Sequence, residues 1–109
     1  MDDVTPLLTA VDTFADRLRA LPQSRLSRGA AAEALALARE LARRAQRIEE
    51  PGGAAPREMP EAGMFTVADQ VAVAGHDLAQ ALAGAGPDAG DGVAEAVALV
   101  EAAARRCGL

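Results

Sequence analysis

The chain has almost no aromatic residues, with two Phe among 109 residues and neither Trp nor Tyr. It also lacks an excess of cations, because its formal net charge is −5. Nucleic-acid binding depends on cations that neutralise phosphates and, for single strands, on rings that stack on bases. The composition therefore argues against a nucleic-acid-binding protein.

The chain also lacks the features of exported and membrane proteins. A single cysteine excludes an intramolecular disulfide framework. No run of about 18 apolar residues occurs, and the first three residues include Asp2 and Asp3, so neither a membrane span nor a secretory signal fits. We therefore expect a cytoplasmic protein with no membrane partner.

Alanine dominates the composition, and residues that favour strands are scarce. Of the 109 residues, half are hydrophobic, and 28 of these are Ala, the strongest helix former. Lys and Asn are absent and every cation is Arg, a bias typical of a bacterial coding region rich in G and C. The length suits one domain, so we predict a single all-α domain over residues 1–109.

Four segments repeat apolar residues every three or four positions, the spacing of an amphipathic helix. They span about residues 5–21, 25–49, 66–83 and 91–106. Residues 50–63 contain three Pro and three Gly, which predicts a long loop between the second and third helices. The sequence thus predicts a small four-helix bundle with one long crossover. A three-helix bundle with a loosely docked C-terminal helix is the alternative.

Several residues carry the signals of helix ends. Thr5 is predicted as the first N-cap, and Ser24 or Ser27 as the second, since hydroxyl side chains cap free backbone N–H groups. At the other end, Gly108 suits the left-handed position after a helix, with Leu109 folding back onto it. The serines are therefore interpreted as caps rather than nucleophiles.

Charge is unevenly distributed along the chain. Residues 17–57 carry nine Arg and four acids, whereas the segments on either side are acidic. We expect the arginines of the second helix to face the acidic first and third helices of the same molecule. A basic patch for an acidic partner is the alternative interpretation.

His76, the only histidine, is followed two positions later by Leu78 in a segment of small residues. This segment resembles the phosphorelay histidine-phosphotransfer domain, a four-helix bundle with a solvent-facing His on a central helix. The resemblance implies that His76 would accept a phosphoryl group. That family continues with a Lys and a Gly where this chain has Ala79 and Gln80, and Asp77 adds a negative charge beside the acceptor.

The sequence shows no signature of a metal site or of nucleophilic catalysis. Asp69 and His76 are about 10.5 Å apart along a helix, and neither Glu-x-x-His nor a pair of cysteines occurs. Cys107 lies near a helix C-terminus, where the helix dipole disfavours a thiolate. We predict no enzymatic activity, no metal and no cofactor.

The interpretation that remains is a protein-interaction module, with a homodimer as one form of the association. Flexible Met side chains and exposed rings are typical of adaptable interfaces. The predicted surface combines leucines of the second helix with a cluster at the end of the loop: Leu35, Leu37, Leu41, Met59, Met64 and Phe65. A phosphotransfer protein using His76 and a bundle that holds a small apolar ligand are the alternatives.

Overall fold

The computed structural model describes residues 3–52, 58–86 and 90–109, which form four long helices and no strand. Their bounds are α1 Thr5–Arg19, α2 Ala31–Glu49, α3 Val67–Ala85 and α4 Gly90–Cys107. The predicted all-α fold and small helical bundle are confirmed. Because α4 buries Val93, Ala96 and Val100 in the common core, it is not a loosely docked element.

The long loop joins two parallel helices. Leu35, near the start of α2, and Val67, at the start of α3, line one groove. Ile48 and Leu82, near the ends of the same two helices, line another. The two helices on either side of the loop therefore run in the same direction, as a crossover connection requires, and they are the most extensively packed pair.

The other neighbouring helices show how the bundle is arranged. Arg19 at the end of α1 binds Asp69 near the start of α3 at 2.6 Å, so α1 and α3 are antiparallel. Arg106 at the end of α4 binds Glu33 near the start of α2 at 2.7 Å, so α2 and α4 are antiparallel. Helix α1 packs on α3 and α4, and so does α2. Helices α1 and α2 therefore lie diagonally opposite each other in the bundle.

The core is formed by one apolar stripe from each helix, filled out by alanines where the helix axes approach. The apolar spacing of the first predicted helix selects Leu7, Val11, Phe14, Leu18 and Leu21. The first four are buried, whereas Leu21 lies beyond the end of α1 and is only half-buried. The largest fully buried side chains are Phe14, Leu7, Leu18, Leu41, Leu78, Val11 and Val71.

The predicted second helix is interrupted before α2 begins. Gln23–Arg25 forms one helical turn, and Leu26–Ala30 forms a wide turn in which Gly29 has a φ of 137°. Only glycine adopts that φ readily. The prediction that Ser24 or Ser27 is an N-cap is wrong, because no side chain caps these turns and Ser27 Oγ donates back to a carbonyl of the preceding turn at 3.0 Å.

The start of α1 is displaced by one residue from its predicted cap. Val4 is the N-cap and contributes no side-chain hydrogen bond, so the prediction of Thr5 is wrong. The capping acceptor is instead Asp3, whose carboxylate accepts a hydrogen bond from the Thr5 N–H at 2.9 Å. Hydrogen bonds from Thr5 lower the pKa of Asp3, because they favour its charged form.

The end of α4 forms as predicted. Gly108 has a φ of 75°, and its N–H donates to the Arg105 carbonyl at 3.1 Å. The Leu109 N–H donates to the Ala104 carbonyl at 2.8 Å. These two bonds are those of a Schellman motif, which satisfies carbonyls at the helix end.

Arginines of α2 pair within the molecule, although not with the predicted helices. Glu40 accepts hydrogen bonds from Arg44 at 2.9 Å and from Arg43 at 3.1 Å. Arg44 also donates to Glu95 of α4 at 3.1 Å. The acids that pair with these arginines thus lie on α2 itself and on α4, rather than on the first and third helices.

Candidate interaction surface

The leucines that were predicted to form an exposed row on the second helix are buried. Leu35, Leu37 and Leu41 all belong to the core of a single chain. Because α2 is covered by α3 and also contacts α4, both of its apolar rows are occupied within the molecule. This corrects the expectation of a docking row on that helix.

The second part of the predicted surface is divided between core and solvent. Met59 and Met64 are half-buried and pack against the core. Phe65 is 73% exposed, more than any other large apolar side chain among the described residues. The two methionines therefore close the bundle, whereas the ring beside them faces solvent.

The segment that carries these residues is held against α2 and α3 by polar contacts. Arg39 of α2 donates to the Met59 carbonyl at 2.9 Å and pairs with Glu58 at 3.3 Å. Gln70 of α3 donates through Nε2 to the Pro60 carbonyl at 2.9 Å. Both helices thus fix the position of the end of the loop.

A groove of about 260 Å³ opens beside this segment, and we call it the Met64 notch. Its apolar wall consists of Leu26, Leu35, Met64 and Val67, with Ser27, Glu61 and Gln70 among its polar residues. Within the described part of the chain, Gln70 Oε1 is buried and has no hydrogen-bond partner. Buried acceptors are nearly always paired in folded proteins, so this oxygen is an exception in the fold.

Phe65 and the notch are adjacent on the surface. Phe65 directly follows Met64, which lines the notch, and precedes α3, whose Val67 also lines it. The largest exposed apolar side chain and an apolar recess therefore lie side by side. The sequence signal for this arrangement was the Met and Phe cluster at the end of the loop.

His76 lies on the outer face of α3, as the resemblance to phosphotransfer domains implies. Its Nε2 is 2.8 Å from Asp12 Oδ1 of α1, and both side chains are about half exposed. A phosphoryl group on this nitrogen would displace Asp12 and meet the neighbouring Asp77, both of which repel it. The geometry therefore does not favour phosphotransfer, which stays an untested prediction.

A larger groove of about 560 Å³ lies between the parallel helices α1 and α4. Its apolar residues include Phe14, Val97, Val100 and Leu109. The exposed side chains of Thr9, Thr13, Arg17 and Glu101 also line it, so it is a surface groove and not a chamber within the core. A small apolar ligand stays a hypothesis.

The single cysteine is placed for packing rather than for reaction. Cys107 is buried, and its Sγ lies 3.6 Å from the Ala30 carbonyl oxygen. Burial raises the pKa of the thiol, and the charge of Glu33 raises it further. A thiol with a raised pKa is a poor nucleophile near neutral pH.

Among residues 3–52, 58–86 and 90–109, no three His, Cys, Asp or Glu side chains are grouped to hold a metal ion. Within the same ranges, no helix combines the length and the apolar composition that a bilayer crossing requires.

No protein-family model, curated protein or solved structure matches this chain.

Proposed function

We propose that the protein is an interaction module that associates with a second copy of itself, with Phe65 of each copy inserted into the Met64 notch of the other. The observation that carries this proposal is the exposed ring of Phe65 directly beside an apolar recess of about 260 Å³. A protruding aromatic residue that fills a partner's pocket is the usual anchor of a protein interface.

The adjacency of ring and recess supports a second copy as the occupant. In a two-fold dimer the same surface patch is used by both subunits, so each patch must contain both a protrusion and a matching cavity. Phe65 is the protrusion and the Met64 notch is the cavity, and the two lie next to each other in the same surface patch.

The expected association is weak. Burying one Phe side chain contributes about 1.5–3 kcal/mol, so two exchanged rings contribute roughly 3–6 kcal/mol. The translational and rotational freedom lost on association costs about 4–15 kcal/mol. The contacts around the two rings must therefore supply the remaining binding free energy. Each copy also carries a net charge of −5. Added salt should therefore strengthen the dimer by screening this repulsion.

Sedimentation velocity across a dilution series tests the proposal. The weight-average mass should rise above 11.1 kDa as the concentration increases, and it should rise further with salt. Phe65→Ala should stay at the mass of the single chain. Val73→Ala is the matched control, because Val73 is the other large apolar residue exposed among the described residues, at 59%, and does not line the notch.

Two results would contradict the proposal. The first is a strictly monomeric wild-type chain at high micromolar concentration. The second is association that Phe65→Ala leaves unchanged, which would place any interface elsewhere on the bundle.

A further inference from the structure

Four arginines from two distant parts of the chain line one groove at the end of the bundle. They are Arg25 and Arg28, which precede α2, and Arg105 and Arg106 at the end of α4. The groove has a volume of about 520 Å³, and we call it the arginine groove. Among the described residues, Glu33 is the only acid that lines it, so the charged side chains of this lining sum to +3 in a chain whose net charge is −5.

Two of these arginines are held in place by the fold. Arg106 donates through Nε to Glu33 at 2.7 Å, and Arg25 donates through Nη2 to the Cys107 carbonyl at 3.2 Å. Gly108 leaves room for this contact, since a Cβ there would collide with the Arg25 guanidinium. A guanidinium has five N–H donors, so both arginines keep donors for a further acceptor.

The other two arginines, Arg28 and Arg105, have no partner among the described residues. Neither Arg28 nor Arg105 makes an ion pair or a side-chain hydrogen bond within the part of the chain that the structure describes. Both are exposed. Gathering like charges in one groove is unfavourable unless an anion compensates them, and here Glu33 is already engaged by Arg106.

We propose that the arginine groove binds the phosphate group of a small phosphorylated molecule. A phosphate carries up to two charges and three terminal oxygens, and guanidinium forks bind such oxygens in pairs. Two positioned arginines and two unpaired ones, concentrated around one recess, suit a compact dianion better than an extended acidic peptide, which needs cations spread along a surface.

This site goes beyond the proposed self-association. The arginine groove and the Met64 notch have only Gly29 and Ala32 in common, and none of the four arginines lines the notch. Phosphate binding is therefore expected in the Phe65→Ala monomer as well, so failure of one proposal is distinguishable from failure of the other.

An NMR titration of the labelled full chain with inorganic pyrophosphate tests the site, with sodium chloride as the control at equal ionic strength. Saturable shifts are expected for the Nε–H signals of Arg28 and Arg105 and for the Gly29 and Gly108 amides. Arg28→Gln/Arg105→Gln should weaken binding roughly tenfold or more, because it removes two charged donors. The control Arg17→Gln, outside the arginine groove, should bind as the wild type does.

Three results would overturn the proposal. One is the absence of a saturable shift up to about 10 mM pyrophosphate, because an affinity that weak does not indicate a specific site. Another is an equal response of arginines throughout the chain, which indicates screening alone. The third is tighter binding of a short poly-glutamate peptide than of pyrophosphate, which would assign the groove to an acidic polypeptide. Circular dichroism should show that the double variant keeps its helices, since both side chains are exposed.

Discussion

Gly75 of α3 lies directly against the side chain of Val11 of α1. A Cβ built on Gly75 would stand 2.5 Å from Val11 Cγ2, well inside van der Waals contact. Both residues are buried at the crossing of the two helices. The absence of a side chain at Gly75 therefore sets how closely α1 and α3 approach.

Gly75→Ala should destabilise the fold. Alanine improves helix propensity by about 1 kcal/mol, but overpacking a core costs about 1–3 kcal/mol, and the β-branched Val11 has little rotamer freedom to move aside. We expect a net loss of up to about 2 kcal/mol in urea denaturation. The control Gly84→Ala, in the same helix with open space around it, should gain about 0.5–1 kcal/mol. Equal stability of the two variants would contradict the close approach.

Leu41→Ala and Phe65→Ala should separate core from surface. Leu41 is fully buried, so its truncation should cost about 2–5 kcal/mol. Phe65 is exposed, and its truncation should change the stability of the monomer by less than about 0.5 kcal/mol. Urea denaturation at low concentration measures both. A large loss for Phe65→Ala would show that the ring supports the fold rather than an interface.

Stability should fall in acid through Glu40. Burial is the largest single influence and raises the pKa of Glu40, but the hydrogen bonds and the charges of Arg44 and Arg43 together lower this pKa from its usual value. A carboxyl whose pKa is lowered in the folded state stabilises it above the unfolded value, and this contribution is lost as the pH falls below that value. Glu40→Gln removes this contribution. Below about pH 4.5, the unfolding free energy of the variant should therefore fall by roughly 0.5–1 kcal/mol less than that of the wild type.

The control for this prediction is Glu49→Gln, at an exposed position of the same helix. It should keep the wild-type decline in stability. A Glu40→Gln variant with the same acid profile as the wild type would show that the contacts with Arg43 and Arg44 contribute nothing to the pH dependence.

Cys107 should react slowly with iodoacetamide in the folded protein. Its side chain is buried, and burial raises its pKa, so both access and thiolate content are low. The rate near neutral pH should rise many-fold in urea, as mass spectrometry of the alkylated chain would show. A folded chain that reacts as fast as the unfolded one would mean that the end of α4 is not docked on the turn before α2.

Much of the fold could be predicted because it depends on local patterns. Apolar spacing identified the four helices, the Pro and Gly content of residues 50–63 identified the crossover, and Gly108 with Leu109 identified the end of α4. The wide turn at Gly29 could not be predicted, because a glycine inside a periodic segment costs only about 1 kcal/mol relative to alanine. Whether it interrupts a helix is decided by tertiary packing.

The candidate surface could be predicted only in part. Met59, Met64 and Phe65 stood out as a cluster, but Leu35, Leu37 and Leu41 were assigned to the surface when they belong to the core. Periodicity shows that a helix has two apolar rows, but it does not show that α3 and α4 cover both. The arginine groove was also missed, since Arg28 and Arg105 lie far apart in sequence and only the fold brings them together.

The most direct test of self-association through Phe65 is an isotope-filtered NOE experiment on an equal mixture of labelled and unlabelled chains. Only contacts between two copies give signals in this experiment. We predict cross-peaks from the Phe65 ring of one copy to the methyl groups of Leu35 and Met64 of the other, lost in Phe65→Ala. A dimer with intermolecular signals only from other surfaces, or a concentrated sample with none, would contradict the account.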